Sequence, residues 1–180
     1  INNGHANWDM EKVHADAKAL KVLNPDLEIY PYFSASFRFD RDTYGKTTFK
    51  SQWYLKDKDK KKLSNAKGAA DYVDLSKKAY RTWAVGIIQD WMTKAPYSGI
   101  LLDDADQIGG KKKQWANKLA KKDITDWNNG LTALVSEVQQ AIGDKHVIFN
   151  GIAGNQNSGL LTVADSAVND DFCFNRAKAT

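Results

Sequence analysis

Helical and strand-like patterns alternate along this chain. Apolar residues recur at helical spacing in three stretches, residues 13–23, 80–91 and 124–142. Asn7 or Asp9 can cap the first helix, Asp74 or Ser76 can cap the second, and Gly143 closes the third. Apolar runs between these stretches predict strands at 27–33, 98–102 and 146–149, with a last one inside 163–174.

This alternation predicts the fold class. Strands that alternate with amphipathic helices form α/β proteins with a parallel sheet and right-handed crossovers. The polar stretch from 40 to 70 is long for a plain connection, so we expect a functional loop or small elements there. No GxGxxG or Walker motif is present, and we therefore expect no nucleotide cofactor.

Charge and cysteine usage narrow the functional classes. The chain has 180 residues with a net charge of +4, and its lysines cluster at 56–62 and 111–113. Asp57 and Asp59 interrupt the first cluster, and neither cluster is interleaved with aromatic residues, which argues against a nucleic-acid partner. Cys173 stands alone, so no intrachain disulfide or cysteine metal site is expected. No apolar run reaches the roughly 20 residues of a membrane span.

Polar residues follow several of the predicted strands. Sites in parallel α/β proteins form at the carboxyl ends of strands. These positions hold Ser34, Arg38, Asp103, Asn150 and Asp170. Glycosidic bond cleavage needs two carboxylates from different strand ends, about 5 to 9.5 Å apart. In the sequence, Asp103 and Asp170 follow different predicted strands, as such a pair requires.

Further side chains are candidates for this cleft. Strand alternation favours Asp103 over Asp104, which is kept as the reserve carboxylate. Aromatic rings can stack on sugars. The candidate substrate-binding residues, besides those at the strand ends, are His5, Trp8, Tyr30, Tyr32 and Trp53. The spacing of the acidic DDAD segment does not match an EF-hand, and no metal is assigned.

Several of these segments resemble a known family. NPDLEIYPYFSASFR, YVDLSKKAYRTWAVGIIQDW, APYSGILLDDAD and VIFNG are similar to TIM-barrel glycoside hydrolases of the group called hypothetical glycosyl hydrolase family 15. That group is related in style to endo-polygalactosaminidase barrels. The resemblance covers roughly residues 1 to 172, and the SGILLDDAD strand is its most specific part.

The resemblance implies a (β/α)8 barrel that acts on a sugar polymer. The family's strand-end acid maps to Asp103, and its later acid maps to Asp170. Three positions depart from the family pattern: Ser98 replaces an acid, Ser166 replaces a glycine, and Asp170 replaces a glutamate.

We therefore expect a single barrel-type domain over residues 1–180 that hydrolyses glycosidic bonds in a polysaccharide without a cofactor. About six βα units, against eight in a complete barrel of about 250 residues, would make it a fragment of a longer chain. We expect a bacterial protein that is secreted or periplasmic. Two alternatives remain open: a lyase acting on an anionic polymer, and a non-catalytic carbohydrate-binding barrel. The sequence does not predict an oligomeric state.

Overall fold

The structure is a computed structural model, which describes residues 9–39, 44, 47–65, 68–108, 117–151 and 157–168. Its helices within these ranges are α1 (Met10–Leu23), α2 (Lys78–Lys94) and α3 (Lys121–Ile142). Its strands are β1 (Tyr32–Ser34), β2 (Phe37–Phe39), β3 (Ala70–Tyr72), β4 (Gly99–Asp103), β5 (His146–Asn150) and β6 (Ser166–Val168). Two short 3-10 helices cover Ser51–Trp53 and Ser158–Thr162.

Four strands form a parallel sheet in the order β1-β4-β5-β6. Along this sheet, each strand lies beside the next parallel strand of the chain, without a reversal of direction. A doubly wound fold would reverse the order at a switch point, whereas a barrel keeps it. The topology is therefore that of part of a (β/α) barrel, and the predicted α/β class with a TIM-barrel architecture is confirmed.

The two faces of the parallel sheet differ in burial. Phe33, Leu102 and Phe149 lie on one face, at most 1% exposed, and belong to the same buried cluster as residues of α2 and α3. We call this the helix-covered face. The alternate residues Leu101 and Ile148 are half-buried on the other face, which we call the open face. In a (β/α)8 barrel the open face is the interior.

Helices α2 and α3 follow the predicted apolar stripes. In α2 the buried residues are Tyr80, Ala84, Ile88 and Trp91. In α3, Trp127 is fully buried and its indole N–H donates to the Val73 carbonyl at 2.8 Å. Gly130 lies in the middle of α3, where a Cβ atom would come within 2.1 Å of the Leu75 carbonyl oxygen. A glycine that looks unfavourable in a helical sequence is thus required by a close backbone approach.

Helix starts agree only in part with the predicted caps. Asp9 caps α1, because its carboxylate accepts from the backbone N–H groups of Glu11 and Lys12. Helix α2 begins later than predicted, and its N-cap is Lys77. Asp74 instead forms the preceding turn, in which its Oδ1 accepts from the Ser76 backbone N–H and hydroxyl.

Strand β1 is shorter than predicted, and β2 and β3 were not predicted as a pair. The strand predicted over 27–33 begins at Tyr32, because Pro31 has no N–H to donate to a ladder. Strands β2 and β3 pair antiparallel, with Arg38 opposite Asp71. Three-residue strands more than 30 positions apart give little signal in a single sequence, because periodicity needs a longer window.

The segment between β2 and β3 carries small elements of its own, which was one of the two predicted outcomes. Its residues 55–63 fold back on themselves, with Leu63 N–H donating to the Leu55 carbonyl at 3.0 Å. We call residues 55–63 the basic hairpin. None of the helices within the described ranges is both long and apolar enough to cross a membrane.

Candidate active site

Three polar side chains lie side by side at the carboxyl edge of the parallel sheet. Ser34 ends β1, Asp103 ends β4 and Asn150 ends β5. The register places Ser34 opposite Asp103, and Asn150 next to Asp103 on the other side. We call these three residues the strand-end row. The sequence placed all three at strand ends, and the parallel topology brings them together.

Asp103 is held in one orientation by two donors. Its Oδ1 accepts from Asn150 Nδ2 at 2.7 Å and from the Asp104 backbone N–H at 2.8 Å. Its backbone carbonyl accepts from Ala35 N–H at 2.8 Å, which ties the end of β4 to the turn after β1. A half-buried carboxylate with a fixed orientation at a strand end is suited to chemistry on a bound ligand.

Asp104 turns toward β1 rather than away from the row. Strand alternation predicted that its side chain would face the opposite way unless the strand had ended. The strand ends at Asp103, and Asp104 has a left-handed backbone with φ of 56°. Its Oδ2 consequently accepts from Ser34 Oγ at 2.9 Å, and the Ser36 hydroxyl donates to its backbone carbonyl. The two carboxylates therefore lie together, one toward β5 and one toward β1.

Tyr32 lies beside both carboxylates. Its hydroxyl is 3.4 Å from Asp104 Oδ2. Burial raises the pKa of Tyr32 far above its ordinary value, and the negative charges of Asp104 and Asp103 raise it further. Tyr32 therefore stays a neutral phenol that can donate a hydrogen bond in this site.

Two residues hold the loops that follow the strand ends. The buried Asn157 accepts from the Gln107 backbone N–H at 3.0 Å and donates to the Gly151 carbonyl, so it joins the loops after β4 and β5. Gly151 has φ of 143°, and a Cβ there would meet Asp106 Oδ1 at 2.9 Å. Asn157 was not predicted from the sequence, because no motif surrounds it. The NG pair at the end of β5 was the available signal for Gly151.

Arg38 and Trp53 lie elsewhere. Arg38 is 6% exposed, donates from Nη2 to the Tyr44 carbonyl, and stacks against the rings of Tyr44, Phe49 and Trp83. Trp53 is 4% exposed and packs edge-on against Phe49. Both belong to a buried aromatic cluster against α2, so the sugar-binding roles predicted for them do not fit their burial. Aromatic composition alone does not separate a core ring from a stacking ring.

Tyr30 and Ser98 lie toward the amino end of the sheet. Tyr30 precedes β1, and its hydroxyl donates to Glu28 at 2.9 Å. Ser98 precedes β4, and its Oγ accepts from the Ile29 backbone N–H at 3.3 Å. The sugar-binding role predicted for Tyr30 therefore does not fit its position. By the same geometry, the replacement of an acid by Ser98 does not alter the strand-end row.

Three predicted site residues lie outside the described ranges: His5, Trp8 and Asp170. Their roles remain predictions. Within the described part of the chain, no group of three or more His, Cys, Asp or Glu side chains is arranged to hold a metal ion.

No family model matches this chain, and no curated protein matches it in sequence. Solved structures do match. The glycoside hydrolase domain of PelA from Pseudomonas aeruginosa aligns with a TM-score of 0.62 and 14% identity, over 86% of this chain and 54% of that one. The fold is that of the barrel glycoside hydrolases.

Two further solved structures support the same fold. Aspergillus fumigatus Ega3 in complex with galactosamine aligns with a TM-score of 0.56 and 15% identity, over 88% of this chain and 55% of that one. The α-galactosidase AgaA from Geobacillus stearothermophilus aligns at 0.59 and 11% identity, over 83% of this chain and 20% of that one. This chain spans about half the length of PelA's domain and of Ega3. The predicted resemblance is confirmed for the fold.

Proposed function

We propose that this chain belongs to a carbohydrate-active enzyme that hydrolyses glycosidic bonds in a polysaccharide, with Asp103 as one of its two catalytic carboxylates. The supporting observation is the strand-end row. A carboxylate oriented by Asn150 lies at the carboxyl edge of a barrel-type sheet, on a fold shared with glycoside hydrolases. Sites on barrels of this kind form at that edge.

Asp103 suits the role of the nucleophile or general base. Its Oδ1 accepts from two N–H donors, which hold the carboxylate in one orientation. A carboxylate fixed in this way either attacks the anomeric carbon or activates a water molecule. The second carboxyl protonates the leaving oxygen, and we assign that role to Asp170, with Asp104 as the reserve.

The position of Asp170 in the sequence supports this assignment. It follows the end of β6 by two residues, and β6 lies next to β5 in the parallel sheet. The carboxyl ends of parallel strands meet at one edge, so acids from β4 and β6 can flank a sugar that lies across β5. Asp104 is the weaker candidate because it is adjacent to Asp103 and already accepts from Ser34.

The observations favour hydrolysis over a lyase reaction. A lyase needs a base that removes the proton beside a uronate carboxyl. Tyr32 is the phenol beside the two aspartates, and its raised pKa keeps it protonated. His14 lies on the buried side of α1, bonded to Tyr97, and His146 begins β5 at the amino end of the sheet. None of these three is placed to serve as that base.

Product analysis tests the reaction class. The protein, as the full natural chain, would be incubated with a panel of polysaccharides in water enriched in oxygen-18, and the products would be read by mass spectrometry. Hydrolysis predicts new reducing ends that carry the heavy oxygen. Products with an unsaturated end and no heavy oxygen would instead show a lyase. Binding with no cleavage across the panel would favour a non-catalytic barrel.

A further inference from the structure

The basic hairpin presents its charge on a defined scaffold. Leu55 and Leu63 are buried at its base, 5% and 3% exposed. Asp57 shapes its turn, because its Oδ1 accepts from the backbone N–H groups of Asp59 and Lys61 at 2.8 and 2.9 Å. The turn closes with Lys60 in a left-handed conformation, φ 65°. The lysines of this segment are therefore displayed by a folded element rather than by a loose loop.

The hairpin carries an uncompensated positive charge. It contains five lysines, all exposed, against two aspartates, a net charge of +3. Lys62 is paired with Asp71. Lys56, Lys58 and Lys61 form no ion pair with any other residue of the described ranges. The carboxylates of Asp57 and Asp59 offset two of the five ammonium charges, and the remainder makes the hairpin basic.

A second basic segment adjoins the hairpin. Lys58 N–H donates to the Lys118 carbonyl at 3.2 Å, and exposed Lys118 is followed by exposed Lys121 at the start of α3. This contact joins the β2–β3 segment to the β4–α3 connection. Positive charge that is scattered in the sequence is therefore gathered on one surface.

This surface is on the same side of the sheet as Asp103. The basic hairpin belongs to the connection that leaves the carboxyl end of β1, and Lys118 belongs to the connection that leaves the carboxyl end of β4. Both ends of the segment that carries the hairpin are bonded close to the strand-end row. The Ser36 hydroxyl donates to the Asp104 carbonyl, and Val73 N–H donates to the Ser36 carbonyl at 3.0 Å. A polymer that crosses Asp103 can thus extend toward the hairpin.

We propose that the basic hairpin and Lys118 form a binding surface for the anionic groups of a polysaccharide chain, carboxylates or sulfates, at the rim of the strand-end row. This inference deepens the proposed function and rests on it for the identity of the polymer. Separated ammonium groups at a rim hold charged substituents through Coulomb attraction that salt screens. A cationic polymer is repelled by the same surface.

Binding can be measured without cleavage. The Asp103→Asn variant of the full chain would be titrated with polygalacturonate, dextran sulfate, neutral dextran and cationic chitosan. We expect binding of the two anionic polymers and none of dextran or chitosan. The affinity should fall steeply between about 0.1 M and 1 M salt, as the Debye length shrinks from about 10 Å to about 3 Å.

A charge-matched pair of variants locates the surface. Replacing Lys56, Lys58 and Lys61 by glutamine should weaken binding of polygalacturonate about tenfold, because three exposed ammonium groups that attract the polymer are removed. Replacing Lys12, Lys18 and Lys94, exposed on α1 and at the end of α2, removes the same charge elsewhere and should leave the affinity within about twofold. Circular dichroism would confirm that both variants fold.

The outcomes separate this inference from the proposed function. Equal loss in both triple variants, tightest binding to chitosan, or stronger binding to duplex DNA or anionic vesicles than to the anionic polysaccharides would overturn the anionic-polysaccharide surface. If hydrolysis is found on a neutral polymer that the hairpin variant cleaves normally, the surface is again wrong while the proposed function stands. Anionic polymers bound at the hairpin but never cleaved would support the surface and count against the hydrolase.

Discussion

The two faces of the parallel sheet differ in burial and in role. On β5, Phe149 is fully buried on the helix-covered face, while its neighbour Ile148 is half-buried on the open face. On β4, Leu102 and Asp103 are divided in the same way. The helix-covered face supplies the apolar burial that holds the fold, and the open face ends in the polar row. Stability and chemistry are therefore assigned to alternate residues of one strand.

The largest expected effect on stability comes from a pair of substitutions on β5. Phe149→Ala should lower the free energy of unfolding by about 3–5 kcal/mol, because it leaves a cavity among packed side chains. Ile148→Ala should cost only about 1–2 kcal/mol, since that side chain is already partly hydrated. Urea unfolding followed by tryptophan fluorescence would measure both. Equal costs would show that the two faces are equally buried.

A pair of glycines tests the packing of the helix-covered side. Gly130→Ala should destabilise by about 1–3 kcal/mol, because the new Cβ would strike the Leu75 carbonyl. Gly86→Ala in α2 meets no atom within 4 Å and should stabilise by about 0.5–1 kcal/mol through helix propensity. Opposite shifts in thermal midpoint are expected. Two shifts of the same sign would contradict the close contact between α3 and the turn before α2.

On the open face, Asn150 should matter for activity more than for stability. Asn150→Ala removes the donor to Asp103 Oδ1, and hydrogen bonds to charged groups contribute about 1.5–3 kcal/mol. We expect kcat/KM for the hydrolysed polymer to fall at least about tenfold, with a smaller change in unfolding free energy. The control is Asn24→Ala, at the end of α1. An unchanged kcat/KM would remove Asn150 from the site.

The smallest expected effect is a pH dependence at α1. The His14 ring is buried and bonded to Tyr97, and burial lowers the pKa of His14. Glu11 and Asp90 raise it, while Lys18 and Lys94 lower it further. The unfolded chain then binds the proton more readily than the folded chain does. The stability that the buried neutral His14 ring contributes is therefore present above about pH 6.5 and is lost as the pH falls. His14→Gln should show a smaller drop in thermal midpoint between pH 8 and pH 5 than the unchanged protein. A larger drop would contradict this.

The length of each element and the parallel topology explain which features the sequence could predict. Apolar periodicity located α1, α2 and α3 and the strands β4 and β5, because each spans enough residues to repeat its pattern. The strand ends Asp103 and Asn150 followed from topology, since parallel strands bring their carboxyl ends together. Periodicity is silent about contacts distant in sequence, which is why the pairing of β2 with β3 was missed.

Side-chain roles were harder to predict than strand ends. Trp53 and Arg38 are residue types expected in a sugar-binding site, yet they pack into a buried aromatic cluster. The orientation of Asp104 depended on where the strand ended and on a left-handed backbone, neither of which alternation alone predicts. The role of Asp170 as the second carboxylate stays a prediction.

Turnover by the Asp103→Asn variant tests the central claim most directly. On a polysaccharide that the unchanged chain cleaves, the substitution should lower kcat by about 10³-fold or more while the affinity for the polymer stays within a few-fold. Asp90→Asn, an exposed carboxylate on α2, provides the matched control and should retain full activity. A variant with asparagine at position 103 that still cleaves at the rate of the control would contradict the account.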